Sequence, residues 1–529
     1  MKILRVNMGR LETNWEPVSA EYERLGGRAL IAGMLLAEVP AQCDPLGPNN
    51  KLIFAPGLLG GTSLSSSGRL SVGGKSPLTG GVKEANCGGH GGSDLARLGI
   101  KALVVEGEPE SGQVYILHLF GAKAELLPAD EWRGLGTLAT AARAQEQWGS
   151  DCTVISIGQS GEFQMGAAGV VCTGAGEQNS RVAARGGLGA LMGSKGLKAI
   201  VLDASSTEPV PLADADLFRA SARRFASELI ESPKTGRKGA MHTYGTSAIV
   251  AAVNEMGAFP TRNFSAGRFE EAENLTGQRL REITLERGGK VGTTCMAGCV
   301  IACCNLFVDE DGAPIVSTLQ YETIGLLGSN LGLGSLDEVA RLNRLCNDYG
   351  LDSIEAGAAL GIAAEAGLAR FGDEASFAAL LDEIAAGSVL GRVLGQGAVV
   401  AGRVLGVSRV PATKGQAMPA YDPRGLKGNG VTYASSPMGA DHTAGNAFGA
   451  RLVVDPLGVE GQRELSLDLQ MGAVMLDRTG LCLFARPPVY GDPQLMLDLI
   501  TGRFGWGWSV DDLEDMKKAV LRMLSHIHI

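Results

Sequence analysis

From the N-terminus to Ser205-Ser-Thr-Glu-Pro-Val-Pro211, short apolar runs alternate with clusters of glycine. Residues 1–7, 52–55, 103–105, 114–117, 154–157 and 199–202 read as strands. Runs this short, bounded by turn formers, fit a pleated and largely buried surface. Gly57-Leu-Leu-Gly-Gly-Thr62, Gly73-Gly-Lys-Ser-Pro77 and Cys87-Gly-Gly-His-Gly-Gly92 punctuate them. Beyond Pro211 the texture changes. Apolar residues recur at three- and four-residue intervals over 216–229, 337–349, 374–386 and 510–524, which predicts amphipathic helices. The turn-rich stretch 411–429 marks a second boundary. The expected fold class is α+β: a β-rich domain over 1–205, a helical domain over 206–409 and another over 410–529.

Composition narrows the class. Hydrophobic residues make up 45% and charged residues 20%, ordinary globular usage that excludes a disordered chain. With 47 Lys+Arg against 57 Asp+Glu the net charge is −10, which argues against a nucleic-acid or anionic-membrane surface. Apolar stretches at 248–258 and 356–369 are too short to span a bilayer and carry Asn or Glu. Met1-Lys-Ile-Leu-Arg-Val-Asn7 lacks an apolar signal core, so a cytoplasmic location is expected. Glycine stands out: 76 of 529 residues, about 14%, against a usual ~7%. Such an excess suggests tight turns and close approach of backbone to something bound.

Ten cysteines are too sparse for a disulfide scaffold, yet Cys295, Cys299, Cys303 and Cys304 fall within ten positions. In one helix, the eight residues from Cys295 to Cys303 would span about 12 Å, so at least one thiol of a shared cluster must sit on a turn. Gly292 and Gly298 permit that. A C-x3-C-x2-C motif would need cysteine at Ala302, and zinc ribbons want paired C-x2-C units that are absent. What stays open is an iron–sulfur cluster with a distant fourth ligand, or a set of inert buried thiols. Cys304 is a spare or a substitute for Cys303. Asp477-Arg-Thr-Gly-Leu-Cys482 and Asn347-Asp-Tyr-Gly-Leu-Asp352 share a skeleton that suits either two halves of a polar ligand or two plain helix C-caps.

Taken in order, Gly68-Arg69, Lys75-Ser-Pro-Leu-Thr-Gly80, Ala85-Asn-Cys-Gly-Gly89, Arg181-Val-Ala-Ala-Arg-Gly-Gly187, Met192-Gly-Ser-Lys-Gly-Leu-Lys198, Tyr321-Glu322, Gly350-Leu-Asp352, Ala420-Tyr-Asp-Pro-Arg-Gly425, His442 and Asp477 to Phe484 resemble the tungsten- or molybdenum-dependent aldehyde ferredoxin oxidoreductase family. The resemblance implies one metal held by two pterins beside a [4Fe–4S] cluster. By that likeness Arg69, Asn86, Gly88, Arg181, Val182, Ala184 and Arg185 would cradle the pterin phosphates, which suits arginine forks and glycine-rich turns. A Mg2+ bridging the phosphates would take the backbone carbonyls of Asn86 and Val182. Asn347 or Asp348, with Leu351 and Asp352, would contact one pterin; Asp477, Leu481 and Leu483 would contact the other. Cys295, Cys299, Cys303 and Cys482 would bind the cluster. Glu322 and His442 would be the catalytic acid–base pair, although a helix-start carboxylate and a surface histidine are their bland readings.

The chain departs from the family pattern in several places. Its spacing is C-x3-C-x3-C where C-x2-C-x3-C is usual, and Asn347 replaces an aspartate. Ala444 and Met438 stand where the family has a lysine and an arginine. Arg341-Leu-Asn-Arg344 occupies the place of an iron-binding Glu-x-x-His, so any homo-oligomer is expected to lack a bridging iron. Only 47 residues follow Cys482 (529 − 482), short of many members. The expected activity is oxidation of an aldehyde to a carboxylic acid, with electrons passing to ferredoxin or a small iron–sulfur subunit. The alternatives are a benzoyl-CoA-reductase-like subunit and a non-catalytic electron-transfer subunit.

Overall fold

The computed structural model describes residues 1–110, 112–174 and 180–526. Twelve strands build two six-stranded sheets. The first contains β1 (Lys2–Asn7), β2 (Glu12–Pro17), β3 (Leu52–Pro56), β4 (Leu70–Lys75), β5 (Val82–Cys87) and β6 (Ile100–Glu106), in the order β2-β1-β6-β3-β4-β5. The second contains β7 (Tyr115–Phe120), β8 (Lys123–Pro128), β9 (Thr153–Ser156), β10 (Val170–Thr173), β11 (Ser180–Ala183) and β12 (Leu197–Asp203), in the order β11-β10-β9-β12-β7-β8. In each sheet one pair is parallel, β1 with β6 and β12 with β7.

Alternation along the strands sets the layers, because successive side chains point to opposite faces. Leu4, Val6, Leu103 and Val105 of the first sheet pack against Leu117, Leu119, Ile200 and Leu202 of the second in one apolar core. Their neighbours Ile3, Ile53 and Val104 face the helix Gly27–Glu38, and Ile116, Val154 and Val201 face Trp132 and Trp148 beyond the second sheet. The result is four layers, helix on sheet on sheet on helix. Gly73 and Gly74, expected between strands, lie inside β4. A Cβ on Gly73 would stand 2.4 Å from the Ile31 side chain, and one on Gly74 would stand 2.4 Å from Leu191. Both faces of the strand are therefore approached too closely for any side chain.

The four predicted amphipathic helices form as Ala215–Glu231, Leu336–Tyr349, Glu374–Ala386 and Val510–His526. The first lies against the C-terminal part of the chain, with Phe218, Phe225 and Leu229 in one core with Leu495, Leu499 and Ile500 of Pro493–Phe504. A further core surrounds Ser353–Glu365 and the π-helical turn Ile324–Gly328. A small antiparallel sheet, β13 (Lys290–Thr293), β14 (Cys304–Val308) and β15 (Pro314–Val316), follows the cysteine-rich loop's flanks. No helix among the described residues is long and apolar enough to cross a membrane.

Candidate functional site

A cavity of about 320 Å³ opens where the sheet domain meets the helical parts. Arg69, Asn86 and Gly88 reach it from just before β4, from β5 and from the turn after β5; Arg181, Val182, Ala184 and Arg185 reach it from β11 and its exit. Glu322, Asn347, Leu351 and Asp352 line the helical side, and His442, Asp477, Cys482 and Leu483 close it. Sequence positions hundreds of residues apart thus share one space. Asp348 and Leu481 do not line it. The Asp348 carboxylate turns away and accepts the Leu138 N–H at 3.0 Å, at the start of Thr137–Trp148. Leu481 is buried among apolar side chains, and its N–H is bonded to the Leu476 carbonyl.

Both Gly-Leu motifs end helices. Gly350 and Gly480 take the left-handed conformation (φ 73° and 78°), and the N–H groups of Leu351 and Leu481 close back on Cys346 and Leu476. This is a Schellman-type C-cap in each case. The caps leave Asp352 and Cys482 just past a helix end, facing the cavity.

Polar side chains in the walls hold one another. Arg69 donates to Asn86 Oδ1, and its Nη2 also reaches the Asn86 carbonyl at 3.1 Å. Asn86 Nδ2 donates to Asp477 Oδ1, while Asp477 Oδ2 pairs with Arg28, itself 2.9 Å from Glu84. Burial pushes the Asp477 carboxyl up to about 7, against the pull of Arg28. Arg185 donates to Asp352 at 3.2 Å and to the carbonyls of Ala417 and Ala440. Lys83 pairs with Asp441; burial pushes that carboxyl up, but Lys83 and Arg185 together hold it far below the usual range. The loop carrying His442 is therefore fixed on both sides. Arg181 directs Nη2 to Cys304 Sγ and Thr318 Oγ1, each 3.3 Å away, and its buried Nε has no partner.

Glu322 lies in the first turn of Tyr321–Thr323, just before the π-helical turn, a kind of distortion found often at functional sites. Its Oε2 accepts the Ala420 N–H at 2.8 Å. Its Oε1 stands 3.4 Å from His442 Nε2 without a well-aligned hydrogen bond. Burial raises the Glu322 carboxyl, opposed by His442 and by the Ala420 N–H. The His442 Nδ1 is buried without a partner.

The chain turns as the cysteine spacing requires. Positive φ at Gly292, Gly298 and Ala302 turns the chain, and residues 294–303 contain no helix. The thiols of Cys295, Cys303 and Cys304 shift one another's ionisation, Cys304 pulled down and the other two pushed up, and Cys482 adds to the push on both. Cys299 Sγ is 3.4 Å from Ser66 Oγ, and the Cys482 N–H donates to the Ser66 carbonyl at 2.8 Å. Ser65 Oγ accepts the Val300 N–H, so the Ser65-Ser66 loop clamps both halves of the group. Sequence reasoning missed those serines; Ser66 stands at φ +63°, a conformation its sequence does not announce. A Cβ on Gly88 would lie 3.0 Å from Cys295 Sγ, which explains glycine there. Among the described residues no three His, Cys, Asp or Glu side chains close on a single ion.

The donor set fits an anionic, phosphate-bearing group. A buried guanidinium nitrogen without a partner, two further arginines and a glycine with no room for a side chain all face the same space. A cavity of this kind set against a cluster of thiols is the equipment of an oxidoreductase. Residues 3–204 match the family model for the aldehyde ferredoxin oxidoreductase N-terminal domain, and residues 221–524 match that for its domains 2 and 3. The chain belongs to the aldehyde ferredoxin oxidoreductase family. It is 33% identical to a tungsten-containing aldehyde ferredoxin oxidoreductase of Thermococcus kodakarensis and 32% identical to one of Pyrococcus furiosus, each alignment covering 97% of this chain and 85% of the relative. In fold it is similar to the active-site complex BamBC of benzoyl coenzyme A reductase in complex with 1,5-dienoyl-CoA, with a TM-score of 0.80 at 18% identity over 100% of this chain and 88% of that one.

Proposed function

We propose that the protein oxidises an aldehyde to the carboxylic acid at a tungsten or molybdenum bis-pterin centre, and passes the electrons through one [4Fe–4S] cluster to ferredoxin or a small iron–sulfur subunit. The observation that carries this reading is the shared cavity: arginine forks, the Glu322–His442 pair and Cys482 all open onto it. The tungsten enzymes that resemble this chain over 97% of its length support the choice of reaction. In this reading Arg69, Arg181, Arg185 and Gly88 receive the phosphates, and Asn86 and Val182 offer carbonyls to Mg2+. Asn347, Leu351 and Asp352 lie beside one pterin, Asp477 and Leu483 beside the other. Cys295, Cys299, Cys303 and Cys482 hold the cluster. When bound, the metal–pterin group supplies two-electron redox chemistry and one-electron release.

The chain's own part is proton handling. Aldehyde plus water gives acid, two electrons and two protons, so a base must stand at the reacting carbon. Glu322 Oε1 is that base: Oε2 is pinned by Ala420, while Oε1 has no hydrogen bond from the protein. A carboxyl raised by burial takes a proton more readily than an exposed one. His442 Nε2, beside it, hydrogen-bonds the substrate oxygen as negative charge develops there. Turnover of short and aromatic aldehydes with a viologen dye, in protein of measured metal content, tests this. Dye reduction that depends on both aldehyde and metal supports the reading, and metal-loaded protein inert to every aldehyde contradicts it.

A further inference from the structure

The cysteine-rich loop is open to solvent on one side. Ala297 and Gly298, between Cys295 and Cys299, are exposed, and Cys295, Cys299 and Cys303 are each only partly buried. A protein that takes electrons from this loop must therefore sit over this face. What surrounds the loop is basic. From Ser232 to Asn254 the chain has no Asp or Glu, while Lys234, Arg237 and Lys238 are all exposed. From Arg287 to Val308, the stretch that contains the four cysteines, it again has no Asp or Glu, and Lys290 is exposed.

The two stretches meet. Met241, Cys299, Val300 and Cys303 pack against the same apolar core, and His242 Nδ1 lies 3.2 Å from the Ile301 carbonyl. The Lys234 carbonyl accepts the Met241 N–H at 3.0 Å, which ties the basic turn to the residues on the cysteine loop. Arg281, exposed on the helix Gly277–Glu286, borders a narrow cleft with His242, Gly292 and Cys304. Lys290 opens β13, whose other end pairs Thr293 with Cys304. The side chains of Lys234, Arg237, Lys238, Arg281 and Lys290 have no ion-pair partner among the described residues. Nearby Glu228 and Glu282 are paired with Arg224 and Arg279, which leaves Glu231 and Glu286 at the border of the patch.

We infer that these five cations form the docking surface for a small acidic iron–sulfur protein, which receives electrons one at a time over the exposed edge of the cysteine loop. This rests on the reading that the thiols hold an iron–sulfur cluster. Each transfer oxidises that cluster by one electron and reduces the partner's cluster by one; no bond forms or breaks. With a net charge of −10 the chain as a whole repels an acidic protein. A local basic patch turns that repulsion into orientation, because field lines from clustered charges steer a partner to one face and raise its on-rate. Short-lived complexes of this kind rely on charge more than on buried area, so binding must weaken with salt.

The test measures binding of a purified acidic bacterial ferredoxin to the holoenzyme, without substrate, at low and high salt. It compares the wild type with Lys234→Glu/Arg237→Glu/Lys238→Glu and with a control of equal charge change at exposed arginines of other elements, Arg10→Glu/Arg370→Glu/Arg403→Glu. The first variant should bind about tenfold or more weakly at low salt and lose most of the salt dependence, while the control binds like the wild type. Melting temperature, iron content and viologen-dye turnover should be unchanged in both. No binding to the wild type, equal binding by the first variant, or an equal loss in the control overturns the inference, whether or not any aldehyde is oxidised. Polyglutamate tests the source of the attraction: if it binds the wild type as tightly as ferredoxin does, the patch recognises bare negative charge and the inference falls. With an aldehyde as donor, the KM for ferredoxin should rise about tenfold in the first variant at constant dye turnover; dye turnover falling in step would contradict a docking role.

Discussion

At the scale of single residues, the account depends on buried charges whose partners are visible. Glu322→Gln keeps the shape of the side chain and removes the proposed base. Turnover is expected to fall about 10²–10⁴-fold with metal and iron content unchanged; a variant with full metal content and wild-type turnover would refute the role. Because burial raises the Glu322 carboxyl, the acid limb of kcat/KM should lie above the ordinary carboxylate range and disappear in the variant. Arg28 makes a different kind of prediction. It bridges Glu84 and Asp477, all three buried. Arg28→Met leaves two carboxylates without their cation, and a loss of about 3–5 kcal/mol in denaturant unfolding is expected. A loss under 1 kcal/mol would show that the bridge does not carry the wall of the cavity.

At the scale of elements, close approach and buried acceptors decide. On β4, Gly73→Ala would push a methyl group against Ile31 and to 2.8 Å from the Lys83 carbonyl, and a cost of about 1–3 kcal/mol is expected. The helix Ser353–Glu365 carries Glu355, which accepts the N–H groups of Ala398 and Ala417 at 3.0 and 2.9 Å. Burial pushes its carboxyl up to about 7. A raised folded-state value means that the contribution to stability is complete below the unfolded value, near 4.5, and is lost as pH rises towards 7. Comparing melts of wild type and Glu355→Gln from pH 4 to 8 should show the gap narrowing by up to about 3 kcal/mol across that window. A constant gap would mean that the Glu355 carboxyl titrates at the same pH in the folded and unfolded chains.

These elements also show what could be read from sequence. The strands β3, β6, β7, β9 and β12 are buried on both faces or nearly so, and their apolar runs announced them. The edge strands β2 and β8 alternate exposed and half-buried positions with Glu and Lys, and left no run to see. The four helices with a polar face were plain. Gly27–Glu38 and Ser353–Glu365 are buried nearly all round, so they carry no stripe for periodicity to find. Of the site, the cysteine spacing required turns and the structure has them. The cavity-lining arginines, Glu322 and His442 came from family likeness. The pair Lys83–Asp441 spans 358 positions, and nothing local in either segment hints at it.

At the scale of the whole molecule, the sheet domain and the helical parts meet around one cavity, and most of the family-matched residues reach it from both sides. Ala444 and Met438 are buried and apolar, and the positive charge acting on Asp477 comes from Arg28 and Arg69. Arg341 is tied to Glu374 at 3.2 Å. In the proposed reading this space is built around a heavy metal bound by pterins and wired to an iron–sulfur cluster. Elemental analysis of protein purified without oxygen, from cells supplied with tungstate and molybdate, tests it most directly. The account predicts about one tungsten or molybdenum and about four irons per chain, with the iron lost in Cys482→Ser. Iron in that amount with neither heavy metal, or Cys482→Ser retaining all its iron, would contradict it.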